Sequence, residues 1–430
     1  MLLNSLKVSG FKVFGTQVEF SMVPKTKNYQ NLNENIINTL SKKNLKSALL
    51  YGGNNTGKSS LLDALLAFKT LVLKGSPDSF PFDIYKNFCY TENDIKLEVC
   101  FFDGEKDITY GVEFSDSTAI GEYLFEGDQL LFSRERDKTI EGSLVEKDVN
   151  FRNRIFDLPI DKLILTFINE YVLKPGTDVF DKVKRFFLKI SFLNDFNKNL
   201  IMSKGIMDFA SNPDKMKILN NLIFSTEIFL DKRELAEEKY VIENDYYNKH
   251  ISKENYERMK TTKTGFDGLR MVSYYKNSDG ESIARPSILF DSVGTNKFIV
   301  LSMAIIDALL DDAILLIDEI DSSLHYKLTR ALAILMNSSA NHASQFIMTT
   351  HDVKLLSPKI FRKDQLNFMV RDNDSVSIVS LDNFKANTKN DIRSDSNFEK
   401  MYIEEKIVEL PDTNVSNIIE KLNELWQAKI

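Results

Sequence analysis

The sequence is poor in the residues that would staple it or load it with metal. Its two cysteines, Cys89 and Cys100, offer no disulfide framework and no metal-ligand spacing. Four scattered histidines do not make a zinc set. No segment approaches the run of about 18 apolar residues expected of a membrane span. The opening MLLNSLKVSGFKVFG lacks the charged start, apolar stretch and small-residue cleavage site of a secretory signal. These absences predict a cytoplasmic protein with no membrane contact. A basic excess is missing too: the net charge of −7 argues against a chain coated in positive charge to hold nucleic acid. A local basic patch stays open, because charges act over about 10 Å at moderate salt. Sustained heptads are absent, so no long coiled coil is expected. What remains is an ordinary globular composition, 43% hydrophobic and 27% charged, long enough for two or three domains.

Residues 2–22 alternate apolar and polar and predict a strand hairpin. Residues 24–46 are polar and predict a surface insertion. SALLY, 47–51, predicts a short apolar strand, and GKSSLLDALLAFKTLVL, 57–73, a helix. From about 93 to 145 the pattern is β-like. From about 150 to 260 it becomes helical and charge-mixed. KVKRFFLKISFLNDFNKN, 182–199, predicts an amphipathic helix with a basic face, which would also suit contacts to DNA phosphates. The charged run 231–260 predicts an exposed helix pair. A strand pair follows in RMVSYYKNSDG and ARPSILF. Residues 293–350 then alternate helix and strand, which implies a parallel sheet flanked by helices. The last 75 residues hold a strand pair and the amphipathic helix NVSNIIEKLNELWQAKI.

Between the apolar strand and its helix lies GGNNTGKSS. Gly52-x4-Gly57-Lys58-Ser59 matches the phosphate-binding loop pattern. Small residues at Gly52, Gly53, Asn54, Asn55, Thr56 and Gly57 let backbone N–H groups curl around phosphate oxygens. The helix start at Lys58, Ser59 and Ser60 adds its positive end. Lys58 would reach the β- and γ-phosphates and the Ser59 hydroxyl would bind Mg²⁺, so ATP and Mg²⁺ are the expected ligands. The second motif is AILLIDEIDSSLH, 313–325. Asp318 follows an apolar strand, at the edge where open α/β sheets bind ligands. It would hold Mg²⁺ through water, and Glu319 would accept a proton from the attacking water. The alternative for such an acidic pair is a strand end that caps a helix, and by itself the motif is moderately specific. DSVGTNKF, 291–298, opens a helix just upstream, and alone it would be an ordinary Ser N-cap turn. FIMTTHD, 346–352, ends a strand in Thr349, Thr350 and His351.

In this order the motifs resemble an ABC-type ATPase of the SMC-like branch. Ser292-x-Gly294-Thr295 is similar to the signature motif. The resemblance implies that it meets the γ-phosphate held by the opposite subunit of a head-to-tail dimer. It also implies that His351 contacts the γ-phosphate and that DSSLH, 321–325, crosses the dimer interface. LKVSGFKVFGTQVEF is similar to the opening strand pair of that branch, where a basic residue at the place of Lys12 lies near the nucleotide. The implied fold is α/β: an ABC-type ATPase head, a mixed sheet with a P-loop core, a helical insertion and a small C-terminal α+β extension. Residues 1–148 and 271–355 would form the two halves of that core, 149–270 the insertion and 356–430 the extension.

ALLYGGNNTGKSSLLDAL, LLIDEIDSSLH, TTHD and FRKDQLNFMVRDNDSVSIVSLDNFK, 361–385, are most similar to the RloA/AbiL-type ATPases of bacterial anti-phage systems, relatives of the OLD family. MYIEEKIVELP, 401–411, keeps the Tyr and Pro of that group's ending and loses its glycines. The resemblance implies a sensor or regulator in abortive infection. Its partners would be a second copy or a higher oligomer of dimers, a separately encoded effector such as a Toprim-like nuclease, and a phage-derived trigger, with DNA a further candidate. A RecF-like DNA repair ATPase is the alternative. Asp372-Asn373-Asp374 has the spacing of a Toprim metal site, but it sits between two strands, where a hairpin turn favours Asn and Asp.

Overall fold

A computed structural model of the chain describes residues 1–25, 32–75, 85–86, 94–115, 118–135, 139–147, 149–160, 162–166, 178–193, 208–226, 230–237, 269–372, 375–383, 397–408 and 416–427. β1 (Leu2–Ser9) and β2 (Val18–Ser21) pair antiparallel, as the alternation predicts. The next stretch departs from expectation. Residues 32–46 are a surface insertion only in part: β3 (Ile36–Asn38) and β4 (Lys43–Leu45) form a short ribbon whose tip, with Asn38, Leu40 and Ser41, is exposed, while Asn35, Asn44, Leu45 and Lys46 are buried. The side-chain donors among them are paired, although Asn44 Oδ1 is buried with no hydrogen-bond partner. The Asn44 amide donates to the Leu3 carbonyl (3.0 Å) and to Asn4 Oδ1 (2.9 Å), and the Asn35 amide donates to the Ile360 carbonyl (2.8 Å). Residues 26–31 of that stretch lie outside the described residues.

β5 (Ser47–Tyr51) is buried along its whole length and leads to the helix Lys58–Lys74. β6 (Ile95–Phe102), β7 (Asp107–Ser115), β8 (Thr118–Glu126), β9 (Gln129–Arg134) and β10 (Ile140–Glu141) extend the first hairpin into a seven-stranded antiparallel sheet, ordered 10-9-8-7-6-1-2. The predicted helix over 182–193 ends at Leu188, and Ile190–Leu193 is a strand, β11, instead. Its ISFL run is short and apolar, and a parallel neighbour in the core sheet outweighs a further turn of helix. The charged run contributes a strand, not a helix, at β12 (Lys232–Glu237), paired with β13 (Leu269–Lys276) and through it with β14 (Ser282–Pro286). Residues 194–199 and 238–260 of those two predictions lie outside the described residues.

β15 (Ile314–Ile317), β16 (Gln345–Thr349), β17 (Leu366–Asp372) and β18 (Ser375–Ser380) complete the central sheet, ordered 11-15-16-5-17-18. All its pairs are parallel except β17 with β18. Segments expected as a helical insertion and as a C-terminal extension thus each supply a core strand, β11 and β17. The β17–β18 register closes at Asp372 opposite Ser375, around the expected Asn373–Asp374 turn, whose two residues lie outside the described ones.

The central sheet is buried on both faces, as a parallel sheet requires. Ala48 and Leu50 of β5 point into one apolar core, with the helix Lys58–Lys74 and the antiparallel sheet. Leu49 and Tyr51 point into a second core, with the helices Pro213–Ser225, Val293–Asp311 and Tyr326–Asn337. Gln345 joins the two sheets: its carbonyl oxygen accepts from the Leu3 N–H (2.6 Å) and its amide donates to the Leu3 carbonyl (3.0 Å). Contrary to the reading of the sequence, the 19-residue helix Val293–Asp311 is long and apolar enough to cross a membrane. Phe298, Ile299, Leu301, Met303, Ile305 and Ile306 are buried in the second core, which accounts for its composition.

One buried carboxylate anchors the antiparallel sheet. Glu122 accepts from the Tyr110 hydroxyl (2.8 Å) and from the N–H groups of Ile164 (2.6 Å) and Leu165 (3.0 Å), with Arg134 at 3.7 Å. Burial pushes its carboxyl above the usual range, against the pull of Arg134 and these donors. Glu122→Ala would strand a buried guanidinium and two N–H groups. It is expected to cost roughly 3 kcal/mol of stability, read from the midpoint of urea unfolding.

Candidate nucleotide site

The loop after β5 is shaped by its small residues. Gly57 has φ 100°, and a side chain there would also meet Val13 Cγ2 at 2.6 Å. The Gly10–Phe14 turn therefore packs directly on the loop. The Thr56 hydroxyl donates to the Gly53 carbonyl (2.8 Å), while Asn54 and Asn55 stand exposed at the tip. The helix starts at Lys58 with no side-chain cap. Its first N–H groups are left to bind an anion, with the helix dipole behind them. The Lys58 ammonium donates to the carbonyls of Gly52 and Gly53, both at 2.9 Å. Burial pushes its pKa down, and Asp318, Glu319 and Asp321 oppose that shift.

Three strands bring the acidic groups to this helix start. β16 lies between β5 and β15, so the three carboxyl ends are adjacent. Ser59 Oγ donates to Asp318 Oδ1 (3.0 Å), and Thr349 Oγ1 donates to the same oxygen (2.6 Å). Thr349 Oγ1 also accepts the Glu319 N–H (2.7 Å). Glu319 has φ 50°, in the left-handed region. The Lys297 ammonium, from the helix after Ser292, donates to the Glu319 carbonyl (2.8 Å). The His351 N–H donates to the Asp321 carboxylate (3.2 and 3.3 Å). Partial desolvation pushes the His351 imidazole below the usual range, and the Lys58 ammonium adds to that, against the pull of Asp321, Glu319 and Asp318.

Lys12 has φ 48°, and its ammonium pairs with Asp63 (2.5 Å), one turn along the loop helix from Ser59, and lies 5.2 Å from the Tyr85 ring. It thus rests beside that helix. Ser60 lies in the helix's first turn, half-buried. Ser292 caps its helix: its Oγ accepts the Thr295 N–H (3.0 Å) and contacts Thr295 Oγ1 (2.9 Å). A side chain at Gly294 would meet the Ser323 carbonyl oxygen at 2.5 Å. Gly294 therefore lies on the 321–325 segment, whereas Ser59, Asp318 and Thr349 gather at the loop. Behind the Ser292 turn, Arg233 pairs with Asp291 and donates to Asn296 Oδ1 (2.7 Å), and Ser273 donates to Asp291 (2.7 Å).

Three of these roles were not assigned from the sequence. Thr349 is the polar end of the apolar run Phe346–Met348, a visible signal whose partner was not. Lys297 and Arg233 are single basic residues whose targets lie far along the chain. The oxygen donors at Ser59 and Asp318 suit Mg²⁺, and the uncapped helix start suits phosphate, so the residues present fit Mg-ATP.

Phosphate-binding loops occur in several folds, and here the neighbours narrow the class. A strand set between loop and acid, and a Ser-capped helix folding back onto the turn after Glu319, are the arrangement of a P-loop nucleotide-binding domain. The sequence comparison is consistent with this. Residues 47–357 match the family described as "AAA domain, putative AbiEii toxin, Type IV TA system", and the chain belongs to that family. A search of curated protein sequences finds no match. Among solved structures, the SMC head domain from Thermotoga maritima is similar over 88% of this chain and 99% of its own, at 15% identity and TM-score 0.44. An SMC head bound to the C-terminal winged-helix domain of ScpA overlaps 88% of this chain and 98% of its own, at 14% identity and TM-score 0.48. An SMC head with an extended coiled coil, in a complex with the C-terminal domain of ScpA derived from Pyrococcus furiosus, overlaps 94% and 99%, at 14% identity and TM-score 0.42.

Thr349→Val keeps the shape and removes a hydroxyl that serves Asp318 and Glu319 together. The expected loss is about 1–3 kcal/mol of stability, with most of it restored in Thr349→Ser, measured by urea unfolding of both variants.

Proposed function

We propose that the chain is a Mg²⁺-dependent ATPase that works as a head-to-tail dimer and acts as a sensor or regulator in a bacterial anti-phage system. The observation that carries the ATPase reading is the meeting of Ser59, Asp318 and Thr349 at an uncapped helix start, with Glu319 next in line. In this reading the N–H groups of Gly52–Gly57 and Lys58 hold the β- and γ-phosphates. The Lys58 ammonium exchanges two carbonyl partners for phosphate oxygens, which its position in the loop makes a short movement. Ser59 and Asp318 hold Mg²⁺, which when bound offsets the charge of the phosphates. The Glu319 carboxylate takes a proton from the attacking water, and His351 presents a hydrogen bond to the γ-phosphate.

A second copy follows from the distribution of the motifs. Within one subunit Gly294 lies against the 321–325 segment, and Val293 beside it is 74% exposed. A partner's nucleotide gives that Ser-capped helix start its anion. Two states, closed on ATP and open after hydrolysis, make the switch that a regulator needs. The toxin–antitoxin wording of the family description supports a place in such a system; in this reading the chain is cytoplasmic and controls a separately encoded toxic effector, such as a Toprim-like nuclease.

Glu319→Gln should bind ATP and remain a closed dimer in light scattering, while Lys58→Ala should lose ATP binding. A Glu319→Gln protein that stays monomeric with Mg-ATP would sink the clamp. Capture of tagged Glu319→Gln protein from its native host with Mg-ATP, followed by mass spectrometry and nucleic-acid staining, tests the biological role. A stoichiometric toxic protein supports the defence reading. Abundant DNA with repair proteins and no such effector favours the RecF-like alternative.

A further inference from the structure

The peptide of Glu319 is gripped from two sides. Its N–H donates to Thr349 Oγ1 (2.7 Å), at the end of β16. Its carbonyl accepts from the Lys297 ammonium (2.8 Å) and from the Ser322 N–H (3.1 Å). Between the two grips Glu319 adopts φ 50°, a conformation that a residue with a side chain leaves unless its surroundings hold it. Ser322 is part of the same turn, so its N–H closes the turn on itself. Lys297 comes from another element. It belongs to the first turns of the helix Val293–Asp311, two residues after Thr295. That helix also touches the turn at a second point, where Gly294 lies against the Ser323 carbonyl.

We infer that Lys297 is a positioning residue: it carries the setting of the Ser292–Thr295 helix start to the backbone of Glu319 in the same subunit. The inference rests on the ATPase dimer proposed above. When a partner's nucleotide seats on Ser292 and Thr295, the helix fixes Lys297, and Lys297 fixes the direction in which the Glu319 carboxylate leaves the chain. Each subunit's site is thereby alerted that its helix start is engaged. Carboxylate placement governs how well a base meets its water, so the link acts on turnover and leaves ATP affinity to the loop.

The test compares Lys297→Met and Lys297→Arg with the wild-type chain. Single-turnover ATP hydrolysis and ATP affinity are measured for each, with amide hydrogen exchange over 318–322. Lys297→Met is expected to slow hydrolysis about tenfold at unchanged ATP affinity and to speed exchange at Glu319 and Ile320. Lys297→Arg, which keeps a cationic donor of similar reach, should restore both. Unchanged hydrolysis in Lys297→Met overturns the inference, whatever the exchange shows. So does an equal loss of ATP affinity in both variants, which would make Lys297 a structural or binding residue. A wild-type chain that binds ATP and never hydrolyses it fails the proposed function itself and takes this inference with it.

Discussion

Burial of the parallel sheet on both faces is the constraint from which the site follows. β5, β15 and β16 have no solvent-facing side along their lengths. Polar chemistry is therefore confined to their carboxyl ends, and the strand order makes those ends neighbours. Ser59, Asp318 and Thr349 meet there because three strands stop at one level. The short, hydrogen-bonded contact among them fixes oxygen atoms that would otherwise repel or wander.

The rest of the molecule holds elements against that edge. The Gly10–Phe14 turn packs on Gly57, so the opening strand pair presses on the loop itself. On the other side, buried Arg233 and Asp291 tie the small three-stranded sheet to the Ser292 turn. Such a buried pair adds little net stability and much geometric definition, since breaking it strands a charge. Lys297 and Gly294 then join that turn to Glu319 and Ser323. A chain of contacts thus runs from the sheet β12–β13–β14 through the Ser292 helix to the proposed catalytic base. In a regulator, this is the route by which a distant binding event would reach the nucleotide.

Some elements were legible from pattern alone. The loop at 52–59, its flanking strand and helix, and the acidic strand end each carry a local signal: apolar periodicity, small residues and a sudden charge. Others misled for physical reasons. Asn35 and Asn44 look like surface residues until their carbonyl and amide partners arrive from Ile360, Leu3 and Asn4. ISFL at 190–193 continues a helical pattern and becomes a strand because β15 offers it a ladder. KRELAE at 232–237 reads as helix by composition and is taken up by β13. In each case a partner distant in sequence overrode local preference.

The sequence by itself determined which groups are present: a loop of the phosphate-binding pattern, a hydroxyl and a carboxylate of the kind that suits Mg²⁺, a neighbouring glutamate and a Ser-capped helix start. These are statements about residue types at short spacing, and short spacing survives without the fold. Only the tertiary structure decided what each group faces. It put Thr349 between Asp318 and Glu319, Lys297 on the Glu319 carbonyl, Lys12 on Asp63 and Arg233 beneath the Ser292 turn. Each of these pairs joins residues at least twenty positions apart, and a hydrogen bond at that separation is set by packing of the elements between, which no local pattern encodes.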